Sequence, residues 1–182
     1  MGTHEHYLAL FKRVNTFVFD VDGVLTDGRV TLLAGEMARV MHAKDGYALQ
    51  LAVKKGYRVA IITGGHSDTM RTRLQSLGIQ DVYTKASNKL EVLEEFLYTY
   101  DLQPETLAYM GDDIPDYDVM RTVGVAACPA DAAKEIRAIS QYIAHHRGGD
   151  GCARELIEKV LTLQGHWFDP SNSNHRLIDY TW

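Results

Sequence analysis

The segment Phe17-Val18-Phe19-Asp20-Val21-Asp22-Gly23 ends an apolar run in two carboxylates one residue apart, followed by a glycine. Acids this close repel unless a cation or a proton comes between them, so the pair is a candidate for metal-assisted or acid–base chemistry. An isolated D-x-D is equally read as an acidic turn at a helix start. Three later segments extend the constellation. Thr63-Gly64-Gly65 offers a hydroxyl and exposed backbone N–H groups ahead of a helix, an arrangement that holds a phosphate oxygen. Lys89 stands in the first turn of a helix opening at Ser87. The helix dipole disfavours a cation there, which calls for a neighbouring anion, although a solvent-facing lysine also fits. Gly111-Asp112-Asp113-Ile114-Pro115-Asp116 gathers three carboxylates, hard oxygen ligands of the kind Mg²⁺ takes. As a bare helix N-cap the same residues are unremarkable.

These groups need elements to hold them. Short apolar or β-branched runs recur at 16–19, 58–62, 81–83, 107–110 and 123–127. Helix-like stretches lie between them near 45–55, 67–77, 87–100, 114–122 and 131–138. Strands this short and apolar, separated by helices, predict βαβ units and a parallel sheet covered on both faces. The expected fold is α/β: a Rossmann-like, doubly wound parallel sheet. In such sheets ligands bind beyond the carboxyl ends of the strands, where each chemical segment falls. One stretch breaks the rhythm. Residues 29–33 and 37–42 read as two strands around Ala34-Gly35-Glu36, a small β-hairpin insert at about 28–43 after the first strand, with no cap domain. The expected organisation is one domain over 1–164 and an irregular tail over 165–182.

The bulk numbers fit a soluble single-domain chain. It has 182 residues, 46% hydrophobic and 24% charged, with a formal charge of −5. An acidic balance argues against non-specific nucleic-acid binding, which depends on counterion release from a basic face, and against docking on anionic membranes. Apolar runs of about five residues fall far short of the roughly 18 a membrane span needs. No signal-peptide pattern precedes Val14, and His6 stands where a myristoylation motif at Gly2 wants Ser or Thr. Two cysteines, Cys128 and Cys152, exclude a disulfide framework or a Cys-rich zinc site and suit a cytoplasmic location.

In this order (D-x-D-G, T-G, Lys, G-D-D-x-x-D) the motifs resemble the haloacid dehalogenase-like superfamily of phosphohydrolases over residues 14 to 160. The resemblance implies that Asp20 is the nucleophile and forms an aspartyl-phosphate. Asp22 protonates the leaving oxygen and then activates water. Thr63, Gly64 and Lys89 hold the phosphoryl group. Mg²⁺ is bound by Asp20, Asp112 and the backbone carbonyl of Asp22, with Asp113 or Asp116 in support. Further segments look like the capless sugar-acid phosphatases: D-V-D-G-V-L-T-D-G at 20–28, Asp45-Gly46, Arg73, Ser87-Asn88-Lys89-Leu90, and Gly148-Gly149-x-Gly151-x-x-Arg154-Glu155. These include the phosphatases of 3-deoxy-D-manno-octulosonate 8-phosphate (Kdo-8-phosphate) in lipopolysaccharide synthesis. The resemblance implies a phosphosugar-acid substrate, Arg73 at its carboxylate, and a homotetramer joined through the hairpins. A chain so thinly covered needs neighbouring subunits to close its site. Two departures stand out: Gly65-His66 where many of these phosphatases have arginine, and a longer aromatic tail. That tail could pack on a neighbouring subunit or reach its site. Phosphatases of nine-carbon keto-sugar acid 9-phosphates share every core motif and are the alternative within enzymes. A phosphate-accepting scaffold domain is the alternative outside them, and nucleic-acid end processing is disfavoured by the acidic composition.

Overall fold

The computed structural model describes residues 4–34, 36–172 and 176–182; Gly2, Gly35, Ser173 and Asn174 lie outside them. Six strands form one parallel sheet: β1 (Thr16–Phe19), β4 (Arg58–Ile62), β5 (Asp81–Tyr83), β6 (Leu107–Met110), β7 (Val125–Cys128) and β8 (Tyr142–Ile143), in the order β5-β4-β1-β6-β7-β8. The chain runs outward from β1 through β4 to β5, then crosses back to build β6, β7 and β8 on the other side. The topological switch therefore falls between β1 and β6, where an open α/β sheet binds ligands. In register, Phe19 sits beside Ile61 of β4 and Met110 of β6, so the residues after all three strands emerge at one edge.

Every residue of β1 is buried, and its alternation divides the core. Phe17 and Phe19 pack with α1 (His4–Phe11), α2 (Ala43–Lys54), α3 (Asp68–Ser76) and α7 (Cys152–Leu163) through Phe11, Leu49, Leu74 and Val160. Val18 points to the opposite layer with α4 (Lys89–Tyr100), α5 (Tyr117–Met120) and α6 (Lys134–Ile139), through Phe96, Val119 and Ile136. A sheet buried on both faces explains why its strands read as continuous apolar runs.

The insert is a two-stranded antiparallel hairpin, β2 (Thr31–Leu33) with β3 (Glu36–Ala38), apart from the main sheet. Its strands are shorter than the predicted 29–33 and 37–42, pairing only Thr31 with Ala38, Leu32 with Met37 and Leu33 with Glu36. Ser67 caps α3, whereas α4 is capped by Asn88 rather than opening at Ser87: the Asn88 Oδ1 accepts from Leu90 and Glu91 N–H. Helices α1 and α7 and strand β8 lie outside the predicted runs. The stretch at 114–122 splits into a 3₁₀ turn, Ile114–Asp116, and α5. The tail folds back on its own chain. Tyr47 Oη donates to the Tyr180 carbonyl (2.8 Å), Lys54 Nζ to the Thr181 carbonyl (2.7 Å), and Tyr180 is buried.

Candidate active site

Asp20 follows β1 directly, and its Oδ1 accepts from Val21 N–H at 2.7 Å. The next residues form an irregular turn in which Gly23 takes φ +86°, a left-handed conformation that L side chains rarely adopt. A second reason demands glycine there: a Cβ on Gly23 would stand 2.0 Å from Asp112 Oδ2. The turn therefore brings the first acidic motif against the second, which leaves β6. Oxygens of Asp20, Asp112 and Asp116 lie within 4.8 Å of one another.

Two groups hold this cluster in place. Lys89 Nζ, at the start of α4, lies 2.9 Å from Asp20 Oδ2 and 2.7 Å from Asp116 Oδ1, with its side chain 6% exposed. This is the anion that a lysine in a first helical turn requires. Asp116 Oδ1 also accepts from the buried Tyr109 hydroxyl (2.6 Å), while Oδ2 accepts from Asp112 N–H (3.2 Å). Asp116 is thus an anchor for Lys89 and for the 111–116 turn. Sequence reasoning did not pick out Tyr109; a lone hydroxyl in a fully buried strand, needing a partner, was the available signal.

Three carboxylates face one ammonium. Burial, followed by the charge of Asp116, raises Asp20 to about 6 despite Lys89. Burial, followed by the charges of Asp20, Asp116 and Asp113, raises Asp112 to about 7. Burial alone would lower Lys89, but Asp20 and Asp116 more than reverse it and the ammonium is held above its usual range. A small divalent cation relieves this repulsion, and an all-oxygen donor set is the kind Mg²⁺ prefers.

Thr63 leaves β4 on the other side of Asp20; its Oγ1 accepts from Gly65 N–H at 3.2 Å and its side chain is buried. Asp20, Asp22, Thr63, Gly64, Gly65, Lys89 and Asp112 all line one open cleft of about 480 Å³. The predicted constellation is assembled there with one exception. Arg73 lies exposed on α3 in an adjacent cleft, beneath the hairpin, with Met37, Arg39 and Met41. It does not reach the cleft that holds Asp20.

The side chain of Asp22 is turned away from the cluster. Arg39, at the end of β3, grips it with a fork: Nε to Oδ1 at 2.6 Å and Nη2 to Oδ2 at 2.9 Å. Gly65 lies against this fork: a Cβ there would stand 3.1 Å from Arg39 Nη2 and 3.2 Å from Asp22 Oδ2. Nothing in the sequence marks Arg39, since its partner is 17 residues away and the hairpin's inclination decides the contact. The glycine-rich turn before α7 packs on the same loop: Gly149 N–H donates to the Val24 carbonyl at 2.9 Å. Asp45, fully buried, accepts from Arg154 N–H at 2.7 Å and so caps α7.

Comparison with known proteins identifies the family. Residues 75–156 match the family model of haloacid dehalogenase-like hydrolases. The chain is 35% identical over 161 residues to a 3-deoxy-D-manno-octulosonate 8-phosphate phosphatase of Salmonella typhi, covering 88% of this chain and 86% of that one. The corresponding protein of Escherichia coli K12 is 35% identical over 87% of this chain and 85% of its own length. Among solved structures, the Moraxella catarrhalis phosphatase in complex with magnesium, phosphate and KDO superposes with a TM-score of 0.86. Its identity is 30%, covering 89% of this chain and 94% of that one. A relative from Yersinia pestis gives a TM-score of 0.85 at 32% identity, covering 87% and 86% of the two chains. With its parallel sheet, hairpin insert and strand-end carboxylates, the chain belongs to the 3-deoxy-D-manno-octulosonate 8-phosphate phosphatase family of haloacid dehalogenase-like hydrolases.

Proposed function

We propose that this chain is a Mg²⁺-dependent phosphatase that hydrolyses Kdo-8-phosphate through an aspartyl-phosphate on Asp20, serving lipopolysaccharide synthesis in the cytoplasm. The observation that carries the reading is the cluster of Asp20, Asp112 and Asp116 around Lys89 at the switch point of the sheet. The substrate rests on the relatives, whose names specify Kdo-8-phosphate.

Asp20 presents its Oδ2 toward Lys89, while Val21 N–H fixes its Oδ1. An anionic nucleophile approaches an anionic phosphate only where positive groups offset both. Lys89 supplies one such charge. Asp20, Asp112 and the Asp22 carbonyl would hold Mg²⁺, which would supply the remaining positive charge at the phosphoryl group. The Thr63 hydroxyl, with its oxygen already accepting from Gly65, has its proton available for a phosphoryl oxygen. Asp22 acts on the leaving oxygen and then on water. Arg73, in the cleft under the hairpin, receives the sugar carboxylate, for which a planar guanidinium is suited.

Among the apolar residues of the hairpin, Leu32 is 78% and Val40 79% exposed. Exposed apolar side chains grouped on a small insert mark an interaction surface, which supports a homotetramer joined through the hairpins. The aromatic tail, engaged with α2 of its own chain, is read as packing and not as a closure for a neighbouring site.

The test is Mg²⁺-dependent phosphate release from Kdo-8-phosphate and from the nine-carbon KDN-9-phosphate, with Asp20→Asn as control. Turnover of the first that Asp20→Asn abolishes is the expected result. A tenfold or greater preference for the nine-carbon substrate in kcat/KM, about 1.4 kcal/mol of transition-state binding, would reassign the substrate. Activity surviving Asp20→Asn would overturn the mechanism.

A further inference from the structure

Asp22 lines the same cleft as Asp20, yet its carboxylate has no partner among the groups that hold the Asp20–Asp112–Asp116 cluster. Its orientation is set from outside the domain core. Arg39 approaches from the hairpin, and both of its bonds to Asp22 are short and side-on. The Arg39 side chain is 6% exposed, whereas Asp22, which lines the cleft, keeps 32% of its side chain exposed. Arg39 Nη1 is tied in turn to the Met37 carbonyl at 3.1 Å. The fork is therefore held from both ends, and Gly65 leaves the space it occupies. A covered Arg–carboxylate fork with this geometry is a strong, directional contact, unlike a surface ion pair.

We infer that Arg39 is a positioning residue for Asp22 in the second chemical step, the hydrolysis of the phosphorylated Asp20. The inference rests on the reading of Asp22 as the group that acts on water. A carboxylate offers about four lone-pair sites. Arg39 takes one on each oxygen and Thr26 Oγ1 lies near a third, 3.4 Å from Oδ1. A remaining site faces the cleft and takes the proton of the attacking water. The water oxygen then bonds to phosphorus, the Asp20–phosphorus bond breaks with its electron pair returning to Asp20, and inorganic phosphate leaves. Without Arg39 the Asp22 side chain is free to rotate, and the two steps are affected unequally when the leaving group of the first needs no proton. Because Arg39 belongs to the hairpin arm, the second step also depends on where the hairpin sits.

The experiment compares the wild type, Asp22→Ala, Arg39→Gln, Arg39→Lys and the double variant in rapid-mixing assays with p-nitrophenyl phosphate. Its leaving group departs without protonation. Acid quench measures the phosphorylated enzyme. Arg39→Gln is expected to lower steady-state turnover by about 10- to 100-fold. The first-turnover release of nitrophenolate falls much less, so a burst and trapped phosphoenzyme appear. Arg39→Lys, which keeps the charge without the fork, falls between, and it carries the test if Arg39→Gln does not fold. Asp22→Ala gives the same burst, and adding Arg39→Gln to it lowers turnover no further, since Arg39 acts through Asp22. Equal losses in burst and steady state for both Arg39 variants, or a double variant clearly worse than Asp22→Ala, would overturn the inference. Absence of a burst in Asp22→Ala itself would instead overturn the role of Asp22.

Discussion

Replacing Gly23 by alanine tests whether the two acidic motifs form one site. The added Cβ would lie 2.0 Å from Asp112 Oδ2, 2.4 Å from its Cγ and 2.8 Å from Oδ1. Ordinary contact begins near 3.4 Å, so the Asp112 carboxylate has to retreat by about 1.4 Å. Displacements of about 1 Å at a reacting centre cost on the order of 100-fold in rate. The backbone adds its own penalty, because Gly23 sits at φ +86° and an L residue there costs roughly 1–2 kcal/mol. Gly28 separates the two effects. It has φ +74° in the same loop, but the nearest atom to its added Cβ is Gly23 Cα at 3.6 Å. Gly28→Ala therefore carries the strain without the collision. The assay is the Mg²⁺ dependence of phosphate release, with thermal unfolding as a check on folding. Gly23→Ala is expected to lose about 100-fold in kcat/KM and to need much more Mg²⁺ for half-saturation, whereas Gly28→Ala shows mainly the loss of stability. If the two variants match in Mg²⁺ dependence, Asp112 does not work against the Gly23 turn and the site as described is wrong.

Four further outcomes follow from the same geometry. Because Asp20 and Asp112 are raised to about 6 and about 7, the metal-stripped fold holds protons that the unfolded chain has released. That stabilisation is complete below pH about 4 and is lost as pH rises through 6 to 7. Unfolding in EDTA should therefore shift to lower temperature from pH 5 to pH 8, and the gain on adding Mg²⁺ should grow over the same window. At 100 times its Kd the gain is about 2.7 kcal/mol, roughly 5–10 °C for a chain of this size; an equal gain at both pH values would contradict the account. Lys89→Met leaves buried Asp20 and Asp116 without their cation and should cost about 3–5 kcal/mol in denaturant titrations, a deficit partly restored by Mg²⁺. Arg73→Ala should raise KM for the sugar-acid phosphate about tenfold more than KM for p-nitrophenyl phosphate, and equal changes would remove it from carboxylate recognition. Lysine substitutions at Leu32 and Val40 should reduce the mass seen by light scattering toward the 20.4 kDa of one chain; an unchanged multiple would place the assembly interface elsewhere.

The parts legible in the sequence were those with local causes. The strands at 16–19, 58–62, 81–83 and 107–110 coincide with their apolar runs because each ends where a polar or glycine residue begins, and β1 and β6 are buried throughout. Helix α7 had an equally regular pattern, with Cys152, Ala153, Leu156, Ile157, Val160 and Leu161 buried along one side. The side chain that caps it, Asp45, lies 109 residues before Arg154, so the start of the helix carries no local capping signal. Strand β8 is only two residues long, too short for any period to appear. The tail's aromatics gave no direction, since only the fold brings Tyr47 and Lys54 of α2 within reach of it.

For the site, the sequence alone determined which residues carry charge and which strand end each one follows, because a D-x-D-G or a G-D-D needs only its neighbours to form a turn. Tertiary structure decided which of those carboxylates share a cation and which are held apart. Asp116 became the anchor because Tyr109 and Lys89 converge on it, and Asp22 was drawn off the cluster because the hairpin carries Arg39 back over Gly65. Electrostatic energy depends on distance and burial, and neither is written in the order of residues along the chain.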